Sequence, residues 1–515
     1  MKQSCLTNTQ EHANEYSFTR QLVNSLTHFR MKKSFLYLAI WGLIASSCTP
    51  GKSEKVLIYQ APEGETLNTC YKLTADNREV PVYNAKIGME RRANRERAMD
   101  DQPNSHLFYD IAGFAYFDLK RGPVKLTVSV KEKIESAKIL PSSFGIIPNI
   151  NEKSLSFEID KPQHLTIEIN GEHIRSLHIF VNPEETEKPD PDNPDVIYFG
   201  PGVHHITESI EIKDNQTLYV AGGAIVRCAN DSTLNRKKEL KKSERPGPSF
   251  ILSGKNAKVL GRGIIDQENV YRLQARNIFS VTGEDITMNG VILRNSSVWT
   301  VSLRGADRVH IDNIKLLGHR ANSDGIDICD SWDVEVENCF IRTLDDLIVV
   351  KTYNRENGSG NILVQNNVLW NEVAHALSIG AEIQQLVDGV TFRDCDIIGD
   401  HCREWSLRVY QCDKGLVKNI RFENIRIEEA VKFASLWINE ATWTTDPERG
   451  HIENVVFKDI VVNNPRPLVK GMELLGFDEK HAIRNVVVDN VVVQGKKLTK
   501  EDIVANDYVY DLEIK

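Results

Sequence analysis

The chain has 515 residues, with 63 Lys and Arg against 72 Asp and Glu, a formal net charge of −9 and a pI near 5.9. That length exceeds one ordinary compact domain, so two or three units are expected. The basic residues are scattered and form no block or tail, which excludes a nucleic-acid partner; a strongly anionic ligand would need a local basic pocket.

Residues 1–30 show no targeting logic and read as a non-native extension, with Met31 the true start. From Met31 the chain runs MKKSFLYLAIWGLIASSC: two lysines, an apolar run from Phe35 to Ala45, then small residues before a cysteine. This is the layout of an export signal, and the apolar run is too short to span a bilayer. Residues 31–48 resemble a bacterial lipoprotein signal ending on Cys48, with Ala45 where leucine is usual. The expectation is a lipidated Cys48, placing the protein on the outer membrane or in the periplasm of a Gram-negative bacterium, attached to the membrane by that anchor alone. Of nine cysteines, Cys5 and Cys48 fall in these segments, and the remaining seven cannot all pair. No CxxC occurs and no metal site is expected. One disulfide among Cys395, Cys402 and Cys412 stays open.

Residues 52–182 carry short alternating runs, VLIYQ, KLTVSV, SLSFEI, HLTIEI and SLHIFV, separated by turn-rich stretches. Period-two alternation of β-branched and aromatic residues predicts antiparallel strands packed as a β-sandwich. Residues 183–195, PEETEKPDPDNPD, hold four prolines and six acidic residues. Such a segment buries no apolar area and reads as a linker or an extended strap.

From residue 196 to 515 the chain repeats itself. Eight segments resemble one another, starting at Ile286, Val309, Val334, Ile362, Val390, Ile420, Val455 and Val486, with spacings of 23 to 35 residues. In seven of them the fifth residue is Asn or Asp: Asn313, Asn338, Asn366, Asp394, Asn424, Asp459 and Asn490. Short apolar strands around a fixed Asn at such a period predict a right-handed parallel β-helix, whose stacked coils share one core. Asn suits the left-handed bend between strands, and stacked amides can bond along the axis. The leucine-rich-repeat spacing is absent, and no helical stretch separates the strands. The fold class is therefore all-β, a sandwich followed by a solenoid.

Residues one coil apart in such a fold lie roughly 4.8 Å apart on the same face. Asn322 and Asp324 follow the strand at Val309; Asp345 and Asp346 come 21 and 22 residues after Asp324; His375 lies 29 residues beyond Asp346. Three consecutive coils then bring these residues side by side. Clustered carboxylates repel, which raises at least one pKa and leaves another ionised. Glycoside hydrolysis needs that division, one protonated acid for the leaving oxygen and one base for water, which inverting enzymes keep roughly 6.5–9.5 Å apart. Lys351, five residues beyond Asp346, reads as a solvated strand end.

NSDGID at 322–327, TLDDLI at 343–348, AHALSIG at 374–380 and GRGIID at 261–266 resemble the blocks of glycoside hydrolase family 28, the polygalacturonase family, in its order and near its spacing. The resemblance implies an inverting hydrolase without cofactor or metal. In it Asp345 matches the general acid, Asp324 and Asp346 the pair that activates water, His375 the histidine beside them and Asn322 the start of the first block. Arg408, in Leu407-Arg408-Val409-Tyr410, matches the arginine that holds a uronate carboxylate, while Tyr410 replaces the lysine expected two residues on. Ala374 and Ala376 replace two glycines. VIYFGPGVHHI at 196–206 and the N-terminal sandwich are similar to family 49 dextranases, so a neutral α-glucan is the alternative substrate to pectic galacturonan or rhamnogalacturonan. Trp405, Trp437 and Trp443 are candidates for stacking on a sugar face. Two other readings remain: a β-helix polysaccharide lyase, and a non-catalytic carbohydrate-binding solenoid. The expected partner is a polysaccharide or oligosaccharide bound by a monomer.

Overall fold

A computed structural model of the chain describes residues 54–88, 109–230, 246–271, 274–400, 404–464 and 468–515. The expectations for residues 1–48, Cys48 included, and for Cys402 lie outside these residues. Cys395 and Cys412 are both free thiols, so they form no disulfide with each other. Among the described residues there is no α-helix; Ser142–Phe144 and Lys500–Asp502 are single 3-10 turns.

The alternating runs before residue 184 form two stacked sheets. Tyr71–Ala75, Arg78–Val80, Val124–Val130, Asn149–Asn151 and Ser154–Ile159 make a five-stranded antiparallel sheet. Its inward residues Leu126, Val128 and Leu155 meet Phe117, Leu165, Ile167 and Leu177 of a six-stranded sheet in one apolar core. One pairing departs from the antiparallel expectation. Glu172–Pro183 runs parallel to Asp110–Leu119, with Leu177 opposite Gly113 and Pro183 opposite Leu119. Between these strands the chain visits the other sheet twice and returns as Gln163–Ile169, which turns back into Glu172–Pro183 by an antiparallel pairing. Alternation in sequence gives the face of a residue but not its partner strand.

From Val196 the chain winds into a parallel β-helix. Eleven parallel strands, from Ile210–Ile212 to Ile503–Ala505, stack as one sheet, and the other two faces join in a sheet of 22 strands. All eight repeats are in register: Ile286 lies beside Val309, which lies beside Val334, and the ladder continues through Ile362, Val390, Ile420 and Val455 to Val486. The seven repeated Asn and Asp residues all have positive φ, between 48° and 56°, and Gly290 takes the same place in the eighth repeat at 90°. Neighbours in this column bond along the axis, Asn424 donating to Asp394 at 2.5 Å and Asn490 to Asp459 at 2.6 Å. A second left-handed column, one residue before each repeat, contains Asp333, Asn361, Asn419, Asn454 and Asn485. It is linked in the same way, with Asn485 donating to Asn454 at 3.0 Å.

The sandwich packs on the solenoid face made by strands such as Ile292–Arg294, Phe340–Thr343 and Val368–Asn371. Phe114, Tyr116 and Phe180 meet Ile292, Phe340 and Trp370 there. Buried ion pairs cross or line this contact: Arg262 with Asp118 at 3.1 Å, and Arg342 with Glu372 at 2.8 Å. The acidic segment after Pro183 runs along the first coils, where Glu185 accepts from Tyr219 at 3.0 Å and Glu187 from Lys258 at 2.6 Å. Beside this contact, turns lead from the packed face into the eleven-stranded sheet, and those turns carry the candidate residues.

Candidate active site

Ile326, Ile348, Leu377 and Leu407 stack as consecutive rungs of the eleven-stranded sheet. The residues two places earlier, Asp324, Asp346, His375 and Trp405, therefore follow one another along the axis. Backbone bonds keep the turns in step: Gly325 N–H donates to Asp346 at 2.8 Å, and Leu347 N–H to His375 at 2.9 Å. The approach is so close that a Cβ on Gly325 would lie 2.3 Å from the Leu347 carbonyl oxygen, which is why the NSDG turn ends on glycine. The sandwich supports the next turn, since a Cβ on Gly88 would come within 2.9 Å of Leu344, the residue before Asp345.

Asp324, Asp345 and Asp346 each offer an oxygen within 4.8 Å of the others. Asp324 and Asp346 are buried and Asp345 is half-buried. The 6.5–9.5 Å separation expected between acid and base is not what these closest oxygens show, because adjacent rungs hold them nearer. His375 Nδ1 lies 2.5 Å from Asp346 Oδ1, and Arg408 Nη1 donates to His375 Nε2 at 3.2 Å. A donor on Nε2 leaves the ring proton on Nδ1, which donates it to Asp346.

Lys351 departs most from expectation. It is only 5% exposed, and its Nζ lies 3.3 Å from Asp327, 3.7 Å from Asp324 and 3.9 Å from Asp346. Its fourth side is the ring of Trp299, 4.2 Å away. Asp327, the last residue of NSDGID, is fully buried in the same group. The period-two pattern could have found both. In IDIC and IVVK the residues Ile326, Ile328, Ile348 and Val350 belong to the core, so Asp327 and Lys351 must point the other way. A trio of carboxylates in this arrangement resembles a cation site, but here the resident ammonium already supplies the positive charge.

The charges divide the aspartates. Burial, with Asp327 and Asp345 nearby, holds Asp324 well above the ordinary carboxylate range. Burial likewise pushes Asp327 up to about 7, against the pull of Lys351. For Asp346 burial acts upward too, but His375, Lys351 and Arg408 outweigh it and hold the group below its ordinary value. The surroundings thus set the carboxyl groups apart, Asp346 below the ordinary carboxylate range and Asp324 and Asp327 above it.

Of the expected binding residues, Arg408 is buried and already engaged. Its Nη1 donates to Glu404 at 2.7 Å, and its guanidinium stands 4.3 Å from the Tyr410 ring and 4.7 Å from that of Trp437. Tyr410 donates to the Glu440 carbonyl at 3.1 Å. Trp405 is only 1% exposed and packs edge-on against Trp437. Trp443 is 57% exposed, and Asn322 is exposed at the turn with φ of 55°. Glu404, not singled out from the sequence, supplies the carboxylate that Arg408 was expected to take from a ligand.

Residues 265–507 match the family model described as Glycosyl hydrolases family 28. A probable endopolygalacturonase D of Neosartorya fischeri is 29% identical over 187 residues, covering 34% of this chain and 35% of that protein. A polygalacturonase of Juniperus ashei is 28% identical over 192 residues, covering 34% of this chain and 35% of that one. The match thus spans about a third of the length of these curated relatives. Among solved structures, the polygalacturonase from Erwinia carotovora ssp. carotovora covers 61% of this chain and 86% of that one, at a TM-score of 0.48 and 18% identity. On the family match, the coils from residue 265 to residue 507 are similar to glycosyl hydrolases family 28.

Proposed function

We propose that this chain is a glycosidase that hydrolyses a pectic polysaccharide, a polygalacturonan or rhamnogalacturonan, with inversion at the anomeric carbon. The observation that carries the reading is the meeting of three aspartate oxygens within 4.8 Å on stacked turns. Asp346, held ionised by its cationic neighbours, takes the proton from water. Asp324 holds the same water: one water donating at about 2.8 Å to two oxygens bridges them when they lie roughly 4.5 Å apart. Asp345, the most exposed of the three, protonates the leaving oxygen. Inversion rests on this water-bridging pair rather than on the wide acid–base spacing general to such enzymes. His375 positions Asp346 through its Nδ1–H. The names of the relatives support a galacturonan as substrate.

A second reading, a neutral α-glucan, is favoured by one feature: Tyr410 stands where a lysine was expected, and Glu404 sits on Arg408. One experiment separates them. The protein is incubated with polygalacturonate, rhamnogalacturonan and dextran, reducing ends are counted, and the first anomer released is identified by proton NMR. Release from a pectic polymer with inverted configuration is expected. A first product of retained configuration would remove inversion, and cleavage of dextran alone would replace the substrate. Ultraviolet-absorbing unsaturated ends would replace hydrolysis by elimination. We also propose that the protein acts as a monomer anchored through a lipidated Cys48, a reading supported by residues 31–48 alone.

A further inference from the structure

We propose that Lys351, locked in place by Asp327, is a positioning residue whose charge keeps Asp346 ionised and so fixes which carboxyl group of the cluster carries the proton. The inference rests on the hydrolase reading above but concerns residues that the family resemblance did not assign.

The geometry is that of an internal counter-ion. Lys351 rises from the strand Ile348–Thr352, and Asp327 from the neighbouring strand Ile326–Cys329. Its hydrogen bond to Asp327 Oδ1, at 3.3 Å, is the shortest of its three carboxylate contacts. Asp327 is thus the anchor, while Asp324 and Asp346 are the groups the ammonium reaches toward the turns. At 5% exposure the ammonium is shielded from water, so its field on carboxylates less than 4 Å away is weakly screened. The Trp299 ring, 4.2 Å from the ammonium, favours a cation over a neutral side chain.

Other charged groups do not replace it. Arg304 stands behind Trp299, 5.0 Å from that ring, while Glu382, on the next strand, and Cys329, beside Asp327, add only negative or neutral character. On the far side of Asp346 stand His375 and, behind it, Arg408, whose charge is shared with Glu404. Burial alone would raise Asp346, and Lys351 is among the three groups that reverse the direction. Lys351 itself is held well above its ordinary value: burial acts against the charge, but Asp327 and Asp324 outweigh it. The ammonium therefore stays charged across the range in which the carboxylates titrate.

The test uses the full chain with aspartate side chains labelled in their carboxyl carbons, in wild type, K351M, K351Q and K351R, with D346N identifying the Asp346 signal. The expected result is that the Asp346 midpoint rises by about one pH unit, a tenfold change, in K351M and K351Q and returns in K351R. On polygalacturonate the acid limb of kcat/KM should move upward in step, with KM within about twofold. An unmoved Asp346 midpoint in either folded neutral variant would overturn the inference. So would a set in which only K351R folds, since the charge would then serve the fold. A wild type inactive on every polysaccharide would sink the hydrolase reading yet leave the carboxyl titration readable.

Discussion

Replacing Arg342 with Met should be among the most damaging changes away from the cluster. Arg342 and Glu372 are both fully shielded, with Nε donating to the carboxylate at 2.8 Å. The guanidinium also stacks 3.9 Å from the Trp370 ring and donates to His178 Nε2 at 3.1 Å. Removing one partner of a buried pair leaves the other charge uncompensated, at about 3–5 kcal/mol. Unfolding entropy near 2.1 cal/mol/K per residue gives about 1 kcal/mol/K for a body of roughly 460 residues. The melting temperature should therefore fall by about 3–5 °C. The double variant R342M/E372L removes both charges and should recover most of that loss, because apolar replacement of a whole pair is often near neutral. Scanning calorimetry at one scan rate and one pH compares the wild type, R342M, E372L and the double variant. A fall of less than about 1 °C in R342M, or a double variant worse than the single, would refute the argument that uncompensated charge dominates.

Asp345→Asn should lower kcat by about 10²–10⁴ with KM nearly unchanged, read from reducing-end release on the active polysaccharide. Asp327 is held above its unfolded value, so the folded state binds a proton that the unfolded chain releases, and its contribution to stability is lost as pH rises from about 4 through about 7. The melting temperature of D327N should therefore fall less over that interval than that of the wild type. Asn424→Ala forces a left-handed backbone on a Cβ residue and should cost about 1–2 kcal/mol, whereas Asn424→Gly should cost less, as judged by the melting temperatures of the two variants. Treatment with EDTA should leave activity unchanged, because Lys351 occupies the centre of the carboxylate group; loss restored by calcium would contradict this.

The repeats were legible because each coil depends on side-chain chemistry that recurs: an apolar residue at the start of each segment and a residue tolerant of positive φ at the fifth place. The register of Ile286 through Val486 and the gathering of Asp324, Asp346 and His375 both follow from that period. Motif spacing alone located the turns, since in a solenoid distance along the chain converts to distance along the axis. It could not say that Trp405 is buried or that Arg408 meets Glu404, because those depend on which side of a turn a side chain leaves.

The tertiary structure alone decided the charge balance of the cluster. Lys351 reads as an ordinary strand-end lysine, and only its placement between Asp327, Asp324 and Asp346 turns it into a buried counter-ion. The parallel strand within the sandwich and the sandwich's seat on the solenoid face, with Phe114 and Phe180 against Phe340, were decided there too. The physical reason is common to all three. The sequence specifies local geometry and the face a residue presents, whereas partner choice and pKa depend on groups far apart in the chain and on the water that folding removes from between them.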